Sequence, residues 1–250
     1  MLRLSLFTTL LMLPVVATAQ SASGLYISVG GGANFAGSVS SSHETTAIST
    51  DPGPLGVVDV GWGFGNGLRA EIEGSYRSNS ITGISTRRGT GLLEPLTNVD
   101  GNLATDAVMA NLTYDIPLAG LGLPVHPYVG AGLGYGWLRL GNAGGNGQAR
   151  FSLPGNNVVS SPDTVNFGSA GAFAYQAIVG ASVPLSVLPG LDATLEYRFF
   201  GMARADVSVT RTAAGGNTVN GTVPSSETRN GFETRDDALL IGLRYEFGEL

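Results

Sequence analysis

The chain has 250 residues, with 38 glycines, no cysteine and a formal net charge of −6. Apolar residues make up 43% and charged residues only 13% of it, which excludes an intrinsically disordered chain, because such chains have few apolar residues and many charges. The acidic balance argues against nucleic acid as a partner, and the lack of cysteine excludes a disulfide scaffold. Beyond the N-terminal segment, apolar side chains are spread thinly between Gly and Ser, so no membrane helix of roughly 18 apolar residues is predicted. This distribution favours β-strands.

The first residues are predicted to be a cleaved secretory signal. Arg3 gives a positive start, a short apolar stretch follows, and Ala17 and Ala19 then place small residues where signal peptidase cuts. The apolar stretch is too short to span a bilayer, so we interpret residues 1–19 as a signal peptide rather than an anchor. A buried N-terminal helix is the alternative. The exported part, residues 20–250, is predicted to be a single β-barrel domain.

After the signal, segments of alternating residues are separated by breaks, and each segment is predicted to be a β-strand. A tilted strand that crosses a membrane needs roughly 9–11 residues, which these segments provide. The predicted strands are 24–35, 55–65, 68–78, 104–115, 127–139, 171–183, 192–203 and 236–247.

The breaks between the predicted strands alternate between short and long. Gly65-Asn66-Gly67 is predicted to be a tight hairpin turn, because glycine adopts positive φ without a steric penalty. Two further short connections are predicted at 117–126 and 184–191. The long connections are rich in Ser, Thr, Asn and Gly, as solvated loops are, and span 36–54, 79–103, 140–170 and 204–235. Short turns at one end and long loops at the other are typical of outer-membrane barrels, whose turns face the periplasm.

Within the predicted strands one face is apolar and the other polar, because successive side chains of a strand point to opposite sides. In the third strand, Leu68, Ile72 and Tyr76 share one face, and Glu71 and Glu73 share the other. The same alternation fits a soluble sandwich or a soluble lipid-binding barrel, with the apolar face inward. Two features favour a membrane barrel instead: aromatic side chains gather near the strand ends, and the polar faces carry both charge signs, which neutralise each other inside a closed barrel.

The polar faces are therefore predicted to line the lumen. The predicted lumen charge network comprises Asp59, Arg69, Glu71, Glu73, Arg77, Glu196, Arg198, Arg244 and Glu246. Four glycines alternate along the polar face of the fifth strand, at Gly130, Gly132, Gly134 and Gly136, and are predicted to make room for bulky neighbours. Because side chains fill an eight-stranded barrel, we expect a plug of ion pairs rather than a wide channel. Arg139 shares the apolar face, but at the outer strand end this costs only about 0–1 kcal/mol.

Three segments carry a resemblance to a known family. Residues 24–32 look like the first strand, and residues 127–134 like the mid-barrel strand, of the small outer-membrane barrels in the OmpA-like and opacity-protein superfamily. Gly242, Tyr245 and Phe247 resemble the last-strand signal read by the barrel-assembly machinery, although the chain continues for three residues past the final aromatic. The resemblance implies an up-and-down transmembrane barrel in a Gram-negative outer membrane, with the membrane lipid and the assembly machinery as partners.

Motifs for catalysis or cofactor binding are not recognised. A Rossmann fingerprint starting at Gly130 would need a glycine where Tyr135 stands, and a phosphate-binding P-loop needs a lysine, which the chain lacks. His43, beside Glu44 and several serines, is a conceivable member of a loop triad, but a solvated loop histidine is the favoured interpretation. With two histidines and no cysteine, no transition-metal cluster is predicted. We predict no cofactor, no metal site and no enzymatic activity.

Two functions follow from these features. The leading hypothesis is a surface protein with a structural or interaction role, in which long loops on a rigid barrel contact the environment or a host. The alternative is a small porin, or a conduit for a solute or hydrophobic ligand, because mixed charges could line a water path.

Overall fold

The computed structural model describes residues 23–37, 39–41, 45–88, 91–92, 97–117, 124–140, 143–147, 161–167, 169–213 and 225–247. The predicted signal peptide, with Ala17 and Ala19, and the loop residue His43 lie outside these residues, so their roles stay predictions. No helix in the described part of the chain is long and apolar enough to cross a membrane.

Eight long strands follow one another along the chain. They are β1 Ser23–Ala36, β2 Gly53–Phe64, β3 Leu68–Arg88, β4 Asn102–Asp115, β5 His126–Leu140, β6 Ser169–Pro184, β7 Leu191–Ala213 and β8 Ser225–Glu246. Each strand pairs antiparallel with the next, and β1 also pairs with β8, from Tyr26 opposite Glu246 to Ala36 opposite Asp236. The sheet is therefore closed, and the predicted all-β, up-and-down barrel of eight strands is confirmed.

Tight turns connect the strands at one end of the barrel. Gly65 and Gly67, in the turn between β2 and β3, have φ angles of 74° and 89°, which favour glycine over residues with a Cβ atom. The side chain of Asn66 accepts a hydrogen bond of 3.0 Å from the amide of Leu68, which fixes the return of the chain. Gly190 (φ 81°) ends the turn between β6 and β7 in the same way. Because tight turns face the periplasm in outer-membrane barrels, we call the end with these turns the periplasmic end.

The alternation places polar side chains inside the barrel and apolar side chains outside. Arg69, Glu73 and Arg77 are 1%, 0% and 1% exposed, whereas Ile72 and Ile241, on the outer face, are 60% and 71% exposed. A water-soluble barrel would have the opposite arrangement, because its apolar side chains must leave water. The exterior of this barrel is thus suited to lipid, in the orientation that the sequence predicts.

The apolar outer surface contains the charged residue that the sequence predicts there. Arg139 points outward at the end of β5 and forms an ion pair with Asp106 of β4. Its neighbours on the outer face of β5 are Tyr135 and Trp137, whose rings pack edge to face with centroids 5.1 Å apart. Aromatic rings with a charged residue beyond them are typical of a membrane–water boundary, so this arrangement marks the outer boundary of the lipid-facing belt.

Three strands are longer than the sequence predicts. Residues 79–88 of β3, 204–213 of β7 and 225–235 of β8 belong to strands, although they fall in segments predicted as loops. The prediction was wrong because Ser, Thr and Asn are frequent in these segments, as in loops, whereas their Thr, Val and Ile residues also favour strands. Neighbouring segments supply the hydrogen-bonding partners, as where Arg211 of β7 lies opposite Ser225 of β8.

Short strands extend the wall of the barrel beyond its non-periplasmic end. They are Val39–Ser41, Thr45–Thr50, Gly91–Leu92, Thr97–Asp100, Ala143–Gly147 and Ser161–Phe167. They pair with β3, β7 and β8 or with one another. We use the term collar for these short strands together with residues 84–88, 205–213 and 225–232.

An arginine on the outer face tests which side of the wall meets lipid. Ile72→Arg, near the middle of the membrane-crossing part of β3, should lower the free energy of unfolding by about 2–4 kcal/mol, because a charge at mid-depth loses its hydration to lipid. The matched control is Phe35→Arg, also outward but near the end of β1, which should cost about 0–1 kcal/mol. Urea titration in lipid vesicles, followed by tryptophan fluorescence, measures both. Equal costs at the two positions would contradict a lipid-facing exterior.

Candidate functional site

The lumen is the candidate functional site, because it concentrates the buried charges of the barrel. At its centre the Oε2 atom of Glu73 accepts three hydrogen bonds, from Asn111 Nδ2 (2.7 Å), Gln176 Nε2 (2.7 Å) and a terminal guanidinium nitrogen of Arg198 (2.6 Å). The side chains of Glu73 and Arg198 are 0% and 3% exposed. Four strands, β3, β4, β6 and β7, thus meet at one carboxylate oxygen.

The glycines of β5 make this meeting possible. Gly132 lies directly opposite Asn111 of β4 on one side and Gln176 of β6 on the other. Across the gap that Gly132 leaves, Gln176 Nε2 also donates to Asn111 Oδ1 at 2.7 Å. A Cβ atom at position 132 would collide with Asn111 Oδ1 and come within 3.1 Å of Gln176. The glycine therefore makes room for bulky neighbours, as the sequence predicts.

A second carboxylate shares the central arginine. Arg198 Nε donates to Glu196 Oε2 at 2.6 Å, and the hydroxyl group of Tyr128 donates to Glu196 Oε1 at 2.5 Å. The ring of Tyr128 extends from β5 over β6 to β7, because Gly180 of β6 lies between Tyr128 and Glu196 and has no side chain. Arg198 therefore bridges two buried acids.

Towards the periplasmic end, Arg69 lies between two tyrosines. Its Cζ atom is 4.8 Å from the ring centroid of Tyr128 and 5.8 Å from that of Tyr26, within the range of cation–π attraction. It also pairs with Asp115 at 2.8 Å. The hydroxyl group of Tyr26 donates to Glu71 Oε1 at 2.6 Å. These contacts connect β1, β3, β4 and β5.

Arg244 of β8 closes the periplasmic end of the lumen. One of its terminal nitrogens lies 2.5 Å from Asp192 Oδ2 and 3.1 Å from Ser182 Oγ. Its Nε atom is 3.4 Å from Glu246 Oε1. Because these partners belong to β6, β7 and β8, the hydrogen bond to Ser182 and the two ion pairs hold the last three strands together.

At the opposite end, Arg77 packs against an aromatic ring. Its Cζ atom lies 3.6 Å from the ring centroid of Phe200, and none of its three guanidinium nitrogens has a hydrogen-bond partner among the described residues. Nearby, Asn34 Nδ2 donates to Asn79 Oδ1 at 2.8 Å and to Asp236 Oδ2 at 3.3 Å. This end of the lumen thus contains two amide side chains, the carboxylate of Asp236 and a guanidinium group packed on an aromatic ring.

The structure places all nine residues of the predicted charge network on the inner face, where they occur at alternate positions. It brings Glu73, Glu196 and Arg198 together, and separately Arg244 and Glu246. Asp59 and Arg77 form no ion pair within the described part of the chain. The prediction did not include several partners on the same face, which their position in the alternation could have revealed: Tyr26, Asn111, Asp115, Tyr128, Gln176, Asp192 and Asp236.

These contacts leave little space for a ligand. A small cavity with room for about one water molecule lies beside Asp59, Glu71 and Glu196. Within the described ranges, no group of three or more His, Cys, Asp and Glu side chains has an arrangement that could hold a metal ion. The arrangement can bind strands to one another and obstruct the lumen.

The residues of the predicted assembly signal lie at the end of β8. Gly242 lies opposite Gly30 of β1, and the rings of Tyr245 and Phe247 pack edge to face with centroids 5.1 Å apart. The amide of Phe247 donates to the carbonyl oxygen of Leu25 at 3.0 Å, which secures the end of the last strand to the first. Recognition of these residues by an assembly machinery stays a prediction.

Comparisons with known proteins agree with this geometry. The family described as outer membrane protein beta-barrel domain matches residues 5–247. A curated outer membrane protein of Gluconacetobacter diazotrophicus is 35% identical over 263 residues, which cover 98% of this chain but 64% of that protein, so the chain spans less than two thirds of this relative.

Solved structures show a similar barrel. A major outer membrane protein from Thermus thermophilus is 16% identical, with a TM-score of 0.50 over 88% of this chain and 99% of that one. Neisserial surface protein A is 18% identical, with a TM-score of 0.47 over 91% of this chain and 100% of that one. The family match over nearly the whole chain, on a closed barrel with an apolar exterior, shows that the chain belongs to the outer-membrane β-barrel family and resides in the outer membrane.

Proposed function

We propose that the protein is a surface scaffold, in which the barrel is the membrane anchor and the collar presents loops to partners outside the cell. The observation that carries this proposal is the continuity of β3, β7 and β8 from the barrel into the collar. These strands have 21, 23 and 22 residues, whereas a membrane crossing needs roughly 9–11. The excess length is strand rather than loose loop, so the partner-facing segments stand on a stiff support.

The pairing within the collar supports a role in presentation. Beyond the barrel, β7 continues to pair with β8 as far as Arg211 opposite Ser225, and Ser161–Phe167 adds a strand beside β7. On the other side, Thr45–Thr50 pairs with β3. Loops on a rigid scaffold commonly carry binding function, because their ends are held in place before a partner arrives.

A conduit is the weaker candidate. The hydrogen bonds of Glu73 with Arg198, Asn111 and Gln176 cross the middle of the lumen, and an eight-stranded barrel has no further width for a water path. We expect the purified protein to give no steady channels in planar bilayers. Steady channels that disappear in Glu196→Gln would favour transport instead. An enzymatic role has less support still, since most carboxylates of the lumen are engaged by arginine or tyrosine.

Trypsin treatment of intact cells tests whether the collar lies outside. We expect cleavage in the β7–β8 part of the collar, at Arg211 and Arg229, because both lie beyond the barrel. The matched control introduces an arginine by Ser186→Arg in the turn between β6 and β7, which should be cut only after the outer membrane is permeabilised. Cleavage of the control site in intact cells, with Arg211 and Arg229 resistant, would reverse the orientation and contradict the proposal.

Adhesion then tests what the collar does. Cells that express the protein should be retained on plates coated with mucin or fibronectin more strongly than cells with an empty vector. A variant in which residues 208–228 are replaced by Asn-Gly should lose this retention, yet keep the heat-modifiable gel mobility of a folded barrel. Retention that is unchanged in this variant, or equal to the vector control on both coatings while the protein is at the surface, would count against an adhesive scaffold.

A further inference from the structure

The inner face of the barrel carries more acids than arginines. In the described residues, eight acids face four arginines. The acids are Asp59, Glu71, Glu73, Asp115, Asp192, Glu196, Asp236 and Glu246, and the arginines are Arg69, Arg77, Arg198 and Arg244. Uncompensated charges of one sign are costly in a narrow, poorly hydrated interior, because the low dielectric constant strengthens their repulsion. The side chains of Asp115, Asp192 and Glu246 are 17%, 16% and 24% exposed and keep some hydration, so the fully buried acids are the ones that need a nearby positive charge.

Asp59 is the acid whose position shows where such a cation binds. Asp59 is 4% exposed, and its Oδ2 atom accepts a hydrogen bond of 2.6 Å from Ser28 Oγ. Its Oδ1 atom has no hydrogen-bond partner in the described structure. Glu73 lies directly opposite Asp59 in the pairing of β2 with β3. Two acids side by side repel each other, so both cannot be charged without a nearby positive charge.

The arginines near Asp59 are engaged elsewhere. Arg198 pairs with Glu73 and Glu196, Arg69 with Asp115, and Arg244 with Asp192 and Glu246. The titratable and charged groups that face Asp59 from the surrounding strands are Tyr26 on β1, Arg69, Glu71 and Glu73 on β3, Tyr128 on β5, Glu196 and Arg198 on β7, and Arg244 on β8. Arg198 also lies beside Asp59, but it forms no direct ion pair with Asp59 in the described structure and already compensates two other acids, so the Asp59 carboxylate favours a proton or a small cation.

Asp59 also borders a cavity of suitable size and chemistry. The cavity has room for about one water-sized particle, and its lining supplies hydroxyl oxygens from Ser28 and Thr194 beside the carboxylates of Asp59 and Glu196. A divalent ion is disfavoured, because the described residues contain no group of three or more metal-binding side chains in a suitable arrangement. We propose that the Asp59 carboxyl group binds one small monovalent cation, either a proton or a sodium ion that occupies the cavity at its Oδ1 atom.

Asp59→Asn tests the proposal, because asparagine keeps the shape of the side chain but needs no cation. The urea midpoint of unfolding in vesicles is measured at several pH values without sodium, and then with sodium chloride replacing choline chloride at constant ionic strength. Asp106→Asn, on the outer face, is the matched control. A bound cation stabilises the folded barrel, since the unfolded chain does not bind it.

The two sources of the charge give different results. If Asp59 holds a proton, the midpoint of the wild type falls as pH rises above neutral, because the folded state then loses a proton that the unfolded state had already released. If it holds sodium, the midpoint rises with sodium at fixed pH. In either case Asp59→Asn removes the part of the dependence that one bound proton or one bound sodium ion contributes, and Asp106→Asn retains it. A dependence on pH and sodium that is the same in the wild type and Asp59→Asn, or absent in both, overturns the proposal.

Infrared spectroscopy gives a second readout that does not depend on unfolding. A proton on Asp59 produces the C=O stretching band of a carboxylic acid at neutral pH, and this band should disappear in Asp59→Asn. Exchange of sodium for choline should instead shift the carboxylate bands if the ion is sodium. Spectra of the wild type that lack the acid band and do not respond to sodium would also overturn the proposal, and a water molecule would then be the occupant of the cavity.

Discussion

Replacing Arg198 with methionine should lower the free energy of unfolding by about 3–5 kcal/mol, because removing one partner leaves an uncompensated buried charge. Arg198 is the cation shared by Glu73 and Glu196, and its side chain is 3% exposed. Methionine retains much of the length of the side chain, so the loss reports the missing charge rather than a cavity. Urea titration of the folded barrel in lipid vesicles measures the change.

Two further variants separate the charge from the packing. Arg139→Met removes an arginine whose side chain is 60% exposed, so we expect a loss of only about 0–1 kcal/mol. Combining Arg198→Met with Glu73→Gln should restore part of the stability, because the double variant no longer contains the carboxylate left without its cation. A loss for Arg198→Met as small as for Arg139→Met, or strictly additive losses in the double variant, would contradict the central role of this arginine.

Gly132→Val should be comparably damaging, although it adds only apolar atoms. The new side chain would occupy the gap through which Gln176 reaches Asn111, and would push both amides away from Glu73. Overpacking costs about 1–3 kcal/mol, and each lost hydrogen bond to a charged group adds about 1.5–3 kcal/mol. We therefore expect a loss of at least about 3 kcal/mol, or failure to fold, as measured by urea titration and by heat-modifiable gel mobility.

The matched control places the same side chain on the other face of the wall. Gly74 of β3 points outward, and a Cβ atom there would meet nothing within 4 Å. Gly74→Val should leave stability unchanged or raise it by about 0.4–1 kcal/mol, since valine reduces the freedom of the unfolded chain. If Gly132→Val is as well tolerated as Gly74→Val, the glycines of β5 are not there to make room in the lumen.

The collar shows where prediction from sequence was wrong. Residues 204–213 and 225–235 are rich in Ser, Thr and Asn, so their composition alone indicated a solvated loop. Their strand structure depends on partners that lie far away in the sequence, such as Ser161–Phe167 beside the end of β7. Composition describes what a segment tolerates locally, whereas strand formation depends on a second segment that supplies the hydrogen bonds.

Three features of the barrel could be predicted without any knowledge of strand pairing: the number of its strands, the tight turn at Gly65-Asn66-Gly67, and the face of the wall on which Arg69 and Glu73 lie. They were predictable because side chains alternate with a period of two along a strand, whatever the strand pairs with. The partner of each charge was not predictable in this way. Arg198 meets Glu73 rather than Asp59 because closure of the barrel fixes the stagger of β3 relative to β7, and no local pattern contains that information.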